Sequence, residues 1–292
     1  MIPLVLYCKS YRTDLRRVVR LARSVQRFNV DALPFFVSVP AQDLALFKGE
    51  LSGLQVQLLT DEDILSASPA ISSEQMRGLN GVLAQQVIKS EFWRLGHSLN
   101  YLCIDSDSVF IRNFATSDFL APDGVPYSVI NEAHDLLELS EMRGKPQVTE
   151  NFLKESAQVQ QLFSRAGKAY SFGPMPLVWH RDVWQSLESE YLIPRGINFA
   201  DAIQQAPMES RWYGEAHLRY RAVPLLPSEP FFKVYHYAWQ FDTEKLPTDR
   251  LGKYYSGVIY QSSWEREMDW PAEGGGTMSR FGRRLRRRLG RI

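Results

Sequence analysis

Tyr101-Leu102-Cys103-Ile104-Asp105-Ser106-Asp107-Ser108-Val109-Phe110-Ile111 sets four apolar residues directly against two carboxylates one residue apart, with a second apolar run behind them. A short continuous apolar run of this kind predicts a strand buried on both faces. At the carboxyl end of such a strand in an open α/β sheet, ligands collect. Two hard oxygen donors there suit Mn2+ or Mg2+ with a phosphate as co-ligand. The same Asp-Ser-Asp sequence also suits a plain turn that closes the strand. The surrounding segments discriminate between these two readings.

Upstream, residues 2–8 predict a first strand, 34–39 a second and 54–59 a third, with a helix over 41–47 between the last two. A helix follows the first strand, with Thr13 as its N-cap and Leu15, Val18, Val19, Ala22 and Val25 on its apolar face. Strands alternating with helices predict a mainly parallel sheet of the nucleotide-binding type. Ser10, Tyr11 and Asp14, just after the first strand, then approach the crevice. Asp14 serves equally as a helix-dipole partner. A further helix over 80–95 turns Ala84, Ile88, Phe92 and Leu95 inward and carries Gln85, Gln86 and Lys89 on an adjacent face. Lys89 offers a diphosphate a point charge and the glutamines offer a sugar hydrogen bonds; a solvated polar face is the alternative.

Downstream, a strand is expected at 126–130, an irregular and mobile lid over 135–150, a helix over 149–166, a strand at 177–179 and a helix over 181–191. Pro207-Met208-Glu209 opens another helix, and Trp212-Tyr213-Gly214 beside it suggests an aromatic platform for the apolar face of a sugar. His236 lies near the end of a late aromatic strand.

The formal net charge is +1, but residues 280–292 alone carry seven arginines and no acid, so subtracting them leaves the body at −6. An acidic body with a basic tail argues against a nucleic-acid partner. The two cysteines, Cys8 and Cys103, sit in apolar runs and are expected to be buried free thiols, as in a reducing compartment. No leader or membrane-spanning run is evident, so the cytoplasm is expected, with peripheral attachment to the inner face of the plasma membrane. That attachment would use residues 277–292 as a basic amphipathic helix on anionic lipid. Gly282 and Gly290 favour instead a disordered tail. The organisation expected is a domain over 1–240 (a nucleotide-binding half, 1–112, and an acceptor half, 113–240), a polar linker over 241–276 and the tail.

Taken together, Tyr11 to Asp14, Gln85 to Lys89, Tyr101 to Asp107, Glu209 with Trp212-Tyr213-Gly214, and Tyr235-His236-Tyr237 resemble the GT-A glycosyltransferases. Those enzymes have a Rossmann-like α/β fold and a DxD metal motif, and the likeness, to an uncharacterised bacterial branch, covers residues 1–240. The resemblance implies transfer of a sugar from a nucleoside diphosphate sugar to a hydroxyl on a carbohydrate or lipid-linked acceptor, in bacterial surface or secreted polysaccharide synthesis. It implies Ser10, Tyr11, Asp14, Gln85, Gln86, Lys89, Asp105 and Ser106 as donor contacts and Trp212, Tyr213 and Gly214 as acceptor contacts. Asp105, Asp107 and His236 become the ligands of Mn2+ or Mg2+, and Asp107 and Glu209 the catalytic pair, Glu209 as general base in an inverting reaction. Met208-Glu209-Ser210 lacks the second carboxylate that often follows that glutamate.

Two rival readings stand. Asp105-Ser106-Asp107-Ser108-Val109 also matches the phosphatases of the haloacid dehalogenase type, with Asp105 as nucleophile; their motif follows the first strand, whereas three strands precede this one. The other is a non-catalytic relative that binds sugar or membrane.

Overall fold

The computed structural model describes residues 2–244 and 246–261. They divide into two units, residues 2–234 with 246–259, and residues 235–244 with 260–261. In chain order the elements are β1 (Leu4–Lys9), α1 (Leu15–Phe28), β2 (Phe35–Val39), α2 (Leu44–Glu50), β3 (Gln57–Thr60), α3 (Asp61–Ser66), α4 (Ser73–Gly78), α5 (Gly81–Glu91) and β4 (Asn100–Cys103). Next come β5 (Ser108–Phe110), β6 (Tyr127–Val129), α6 (His134–Met142), α7 (Pro146–Leu162), β7 (Leu177–His180), α8 (Arg181–Leu187), α9 (Phe199–Gln205) and α10 (Glu209–Tyr220). The described residues end with β8 (Leu226–Ser228), β9 (Phe232–Tyr235), α11 (Ala238–Glu244), α12 (Thr248–Leu251) and β10 (Gly257–Tyr260).

The main sheet has the order β3-β2-β1-β4-β7. Its first four strands are parallel and β7 runs antiparallel to β4. β1, β2 and β4 are mostly apolar and buried at every position but Lys9, because helices cover both faces of the sheet. The chain steps from β1 outward through β2 to β3, then returns to β4 on the other side of β1. That reversal makes the carboxyl ends of β1 and β4 a topological switch point, where an open α/β sheet leaves a crevice. The fold is therefore the mixed α/β architecture expected, mainly parallel and flanked by helices. Two smaller sheets, β5-β10-β9 and β6-β8, complete the strands. Among the described residues no helix is long and apolar enough to cross a membrane.

Three local expectations are corrected. The third strand lies at Gln57–Thr60, because residues 54–56 are spent in tight turns, Leu54 N–H on Leu51 and Val56 N–H on Leu54. Thr13 does not cap α1; it sits inside a 3-10 turn over Arg12–Asp14, and Asp14 takes the cap position. Residues 135–150 are not irregular: α6 and the start of α7 together occupy most of them, and Pro146 at the first position of α7 starts that helix where its missing N–H costs nothing.

Candidate active site

The β1–β4 ladder continues one residue past β4, Ile104 N–H donating to Tyr7 O at 2.8 Å. The chain then turns sharply, Ser108 N–H donating to Asp105 O at 3.1 Å. The turn and the ligand site of the opening motif are thus compatible. The turn holds both carboxylates at the switch-point edge, Asp105 with its side chain 38% exposed and Asp107 buried.

Lys89 projects from α5 into this edge. Its Nζ lies 2.6 Å from Asp105 Oδ1 and 3.3 Å from Glu209 Oε1, so one buried ammonium joins two carboxylates from different elements. Burial works against its charge, but Asp105 and Glu209 outweigh that and hold the lysine well above its ordinary range. Tyr101 OH donates to Lys89 O at 3.0 Å, tying this turn of α5 to β4. Lys89 therefore does not lie on a solvated polar face: it is buried and both acids engage it.

Glu209 enters from the first turn of α10 and is itself buried. The residue before it, Met208, has φ +86° and ψ +92°, a left-handed conformation unfavourable to a side chain. Its N–H donates to Gln86 Oε1 at 2.7 Å, which braces the turn that aims Glu209 at Lys89. Gln86 is thereby committed to the protein rather than facing a donor. Sequence spacing sets it beside Gln85 and Lys89 but carries no sign of this partner 122 residues away. Gln85 is half-buried on the adjoining face of α5.

On the adjacent strand, Ser10 follows the last residue of β1. Its N–H donates to Ser38 O at 2.8 Å, while its buried Oγ has no hydrogen-bond partner among the described residues. Tyr11 is exposed, Ser106 is buried in the turn, and Asp14 pairs with Arg17 three residues on. Behind them lies a pair that the sequence did not single out, Lys9 Nζ to Asp61 Oδ2 at 2.8 Å. Lys9 is the last residue of β1 and Asp61 follows β3, a position at a strand's carboxyl end that marks both as edge residues. Burial raises the Asp61 carboxyl above its usual range despite Lys9.

The acceptor platform is corrected. Trp212 is fully buried, its indole N–H on Ala206 O at 2.8 Å and its ring edge-on to Phe163 and Tyr191. Tyr213 is buried too, its hydroxyl accepting the His180 N–H at 2.8 Å. At Gly214 a Cβ would fall 2.1 Å from the Phe172 ring, so the glycine is there to admit that ring. Nine successive residues at the start of α10 are buried, so the helix has neighbours on all sides and no free face to offer a sugar.

His236 follows β9 in the second unit, half-buried, with its backbone N–H on Gln240 Oε1 at 2.8 Å. Among the described residues no three His, Cys, Asp or Glu side chains converge to hold a metal ion. Cys8 and Cys103 are buried free thiols, as expected, and burial pushes both thiols up. The basic tail, residues 277–292, lies outside the described residues.

Residues 1–224 match the family described as "Family of unknown function (DUF6492)". No curated protein matches the sequence. Among solved structures, the apo crystal structure of mouse xyloside xylosyltransferase 1 is similar at 10% identity and a TM-score of 0.48, over 89% of this chain and 98% of that one.

Proposed function

The chain belongs to the family of unknown function DUF6492, and we propose that it is a metal-dependent glycosyltransferase. It would move a sugar from a nucleoside diphosphate sugar to a hydroxyl of a carbohydrate or lipid-linked acceptor. The observation that carries this reading is the placement of Asp105 and Asp107 at the β1–β4 switch point, with Lys89 bridging Asp105 to Glu209.

The donor set fits a hard divalent cation. Magnesium and manganese take one or two carboxylates and complete their shells with water and substrate phosphate, so a third protein ligand is not required. Asp105, partly exposed, and Asp107 beside it would hold the ion. Bound there, the cation supplies neutralisation of the charge that grows on the departing diphosphate. The remaining work falls to the chain. Ser10 presents a buried hydroxyl whose hydrogen-bonding capacity a donor group would satisfy. Tyr11 borders the same edge. Lys89 fixes the separation of Asp105 and Glu209 and offsets their charge, and Glu209 would accept the proton of the attacking hydroxyl. The phosphatase reading is not carried forward, because the carboxylate pair follows the fourth strand of the chain rather than the first.

The test is a thermal-shift panel of nucleotide sugars with and without manganese. One donor should raise Tm only with the metal, and Asp107→Ala should abolish that shift while keeping the unliganded Tm. A panel with no metal-dependent shift, or free phosphate released without an acceptor, defeats the proposal.

A further inference from the structure

The outer face of α1 carries a feature that the carboxylate site does not use. Between residues 11 and 30 the sequence has six arginines, no lysine, and Asp14 as its sole acid. At about 100° per residue, Arg16, Arg20, Arg23 and Arg27 fall within an arc of about 60°. The buried residues Val18, Leu21, Ala22 and Val25 centre on the opposite side, so Arg16, Arg23 and Arg27 form a ridge pointing away from the core, with Arg20 half-buried between them. With about 1.5 Å of rise per residue, the ridge runs roughly 16 Å from Arg16 to Arg27. Arg16, Arg23 and Arg27 are exposed. Among the described residues none of these three forms an ion pair with an acid; Arg27 lies over the Phe28 ring, 4.9 Å from its centroid.

We propose that this ridge docks the protein on an anionic phospholipid bilayer. Guanidinium groups bind phosphate through a planar fork, which suits phosphodiester headgroups better than an ammonium does. A straight ridge on a convex helix meets a flat charged plane along its whole length. A single-stranded nucleic acid would instead call for aromatic side chains between the basic ones, and the ridge has none. Residues 280–292 offer the same chemistry with seven arginines and no acid. An extended charged surface accepts both segments without a fixed geometry between them. The proposal does not depend on the glycosyltransferase reading.

The full-length chain is tested by flotation with vesicles of phosphatidylglycerol and phosphatidylcholine, against vesicles of phosphatidylcholine alone. Each arginine near such a surface contributes roughly fivefold to binding, so Arg16→Gln/Arg23→Gln/Arg27→Gln should bind the anionic vesicles roughly 100-fold more weakly. Arg16→Lys/Arg23→Lys/Arg27→Lys, which keeps the charge, should bind within a few-fold of the parent. All three proteins should melt within a few degrees of one another, since the three arginines are exposed and only the contact of Arg27 with the Phe28 ring changes. If the glutamine variant floats like the parent, the ridge has no role at the bilayer. If it loses binding to RNA or to an acidic polymer while vesicle binding stands, the partner is not a membrane.

Discussion

Lys89 is the residue on which the candidate site depends most. Its buried ammonium is the shared partner of Asp105 and Glu209, so its removal leaves a buried carboxylate without a countercharge. Lys89→Met should therefore cost about 3 kcal/mol in urea unfolding, and Lys89→Met/Glu209→Gln should recover part of that loss. A variant as stable as the parent would mean that the ion cluster contributes nothing. His217 offers a separate test by pH. Burial lowers its imidazole below the usual histidine range, against a hydrogen bond to the Val223 carbonyl that favours charge. His180 shifts the same way, again chiefly through burial. The folded state then binds fewer protons than the unfolded one. Stability is complete above about pH 6.5, the unfolded value, and is lost as pH falls through the lower folded values. A Tm series from pH 8 to 5 should turn downward below about 6.5, and His217→Gln should make the descent shallower.

At the scale of elements, α5 and α10 build the site between them. The inward face of α5 was legible from its 3.6-residue spacing, and the start of α10 from Pro207 and the acid that follows. Their contact was not, since Gln86 and Met208 have no local pattern in common. Gln86→Leu removes the acceptor of the Met208 N–H and should cost about 1 kcal/mol. If a transferase activity is found, the same variant should lower kcat while leaving KM for the donor unchanged, because the change reaches Glu209 rather than the donor. Equal losses in both parameters would argue for general damage. Gly214→Ala sets a methyl group against the Phe172 ring and should destabilise by about 2 kcal/mol, through overpacking between α10 and the 170–176 loop. Trp212, Tyr213 and Gly214 look like a sugar platform in sequence because aromatic residues beside glycine serve sugar binding and tight packing equally well.

For the molecule as a whole, the informative feature is the return of the chain after residue 245. Residues 246–259 rejoin the first unit, where β10 pairs with β5, and Val258 and Ile259 are buried. Ser256 N–H reaches Phe231 O at 2.9 Å, and Gly257 lies under the Phe232 ring, which would meet a Cβ at 2.2 Å. A chain ended after residue 245 should lose several degrees of Tm or its cooperative transition, measured by circular dichroism against the full chain. Taken alone, the amino-acid order determined the parallel sheet, the buried strand leading into Asp105 and Asp107, and their position at its carboxyl edge. Those features follow from short-range apolar periodicity and from where polar residues interrupt it. Only the tertiary structure decided that Lys89 faces two acids, that Gln86 braces Met208, and that Trp212 and Tyr213 turn inward. Each of those outcomes depends on which surfaces meet between separate elements, 122 residues apart for Gln86 and Met208 and 33 apart for Tyr213 and His180, and burial, not spacing, chooses the partner of a charge or a ring.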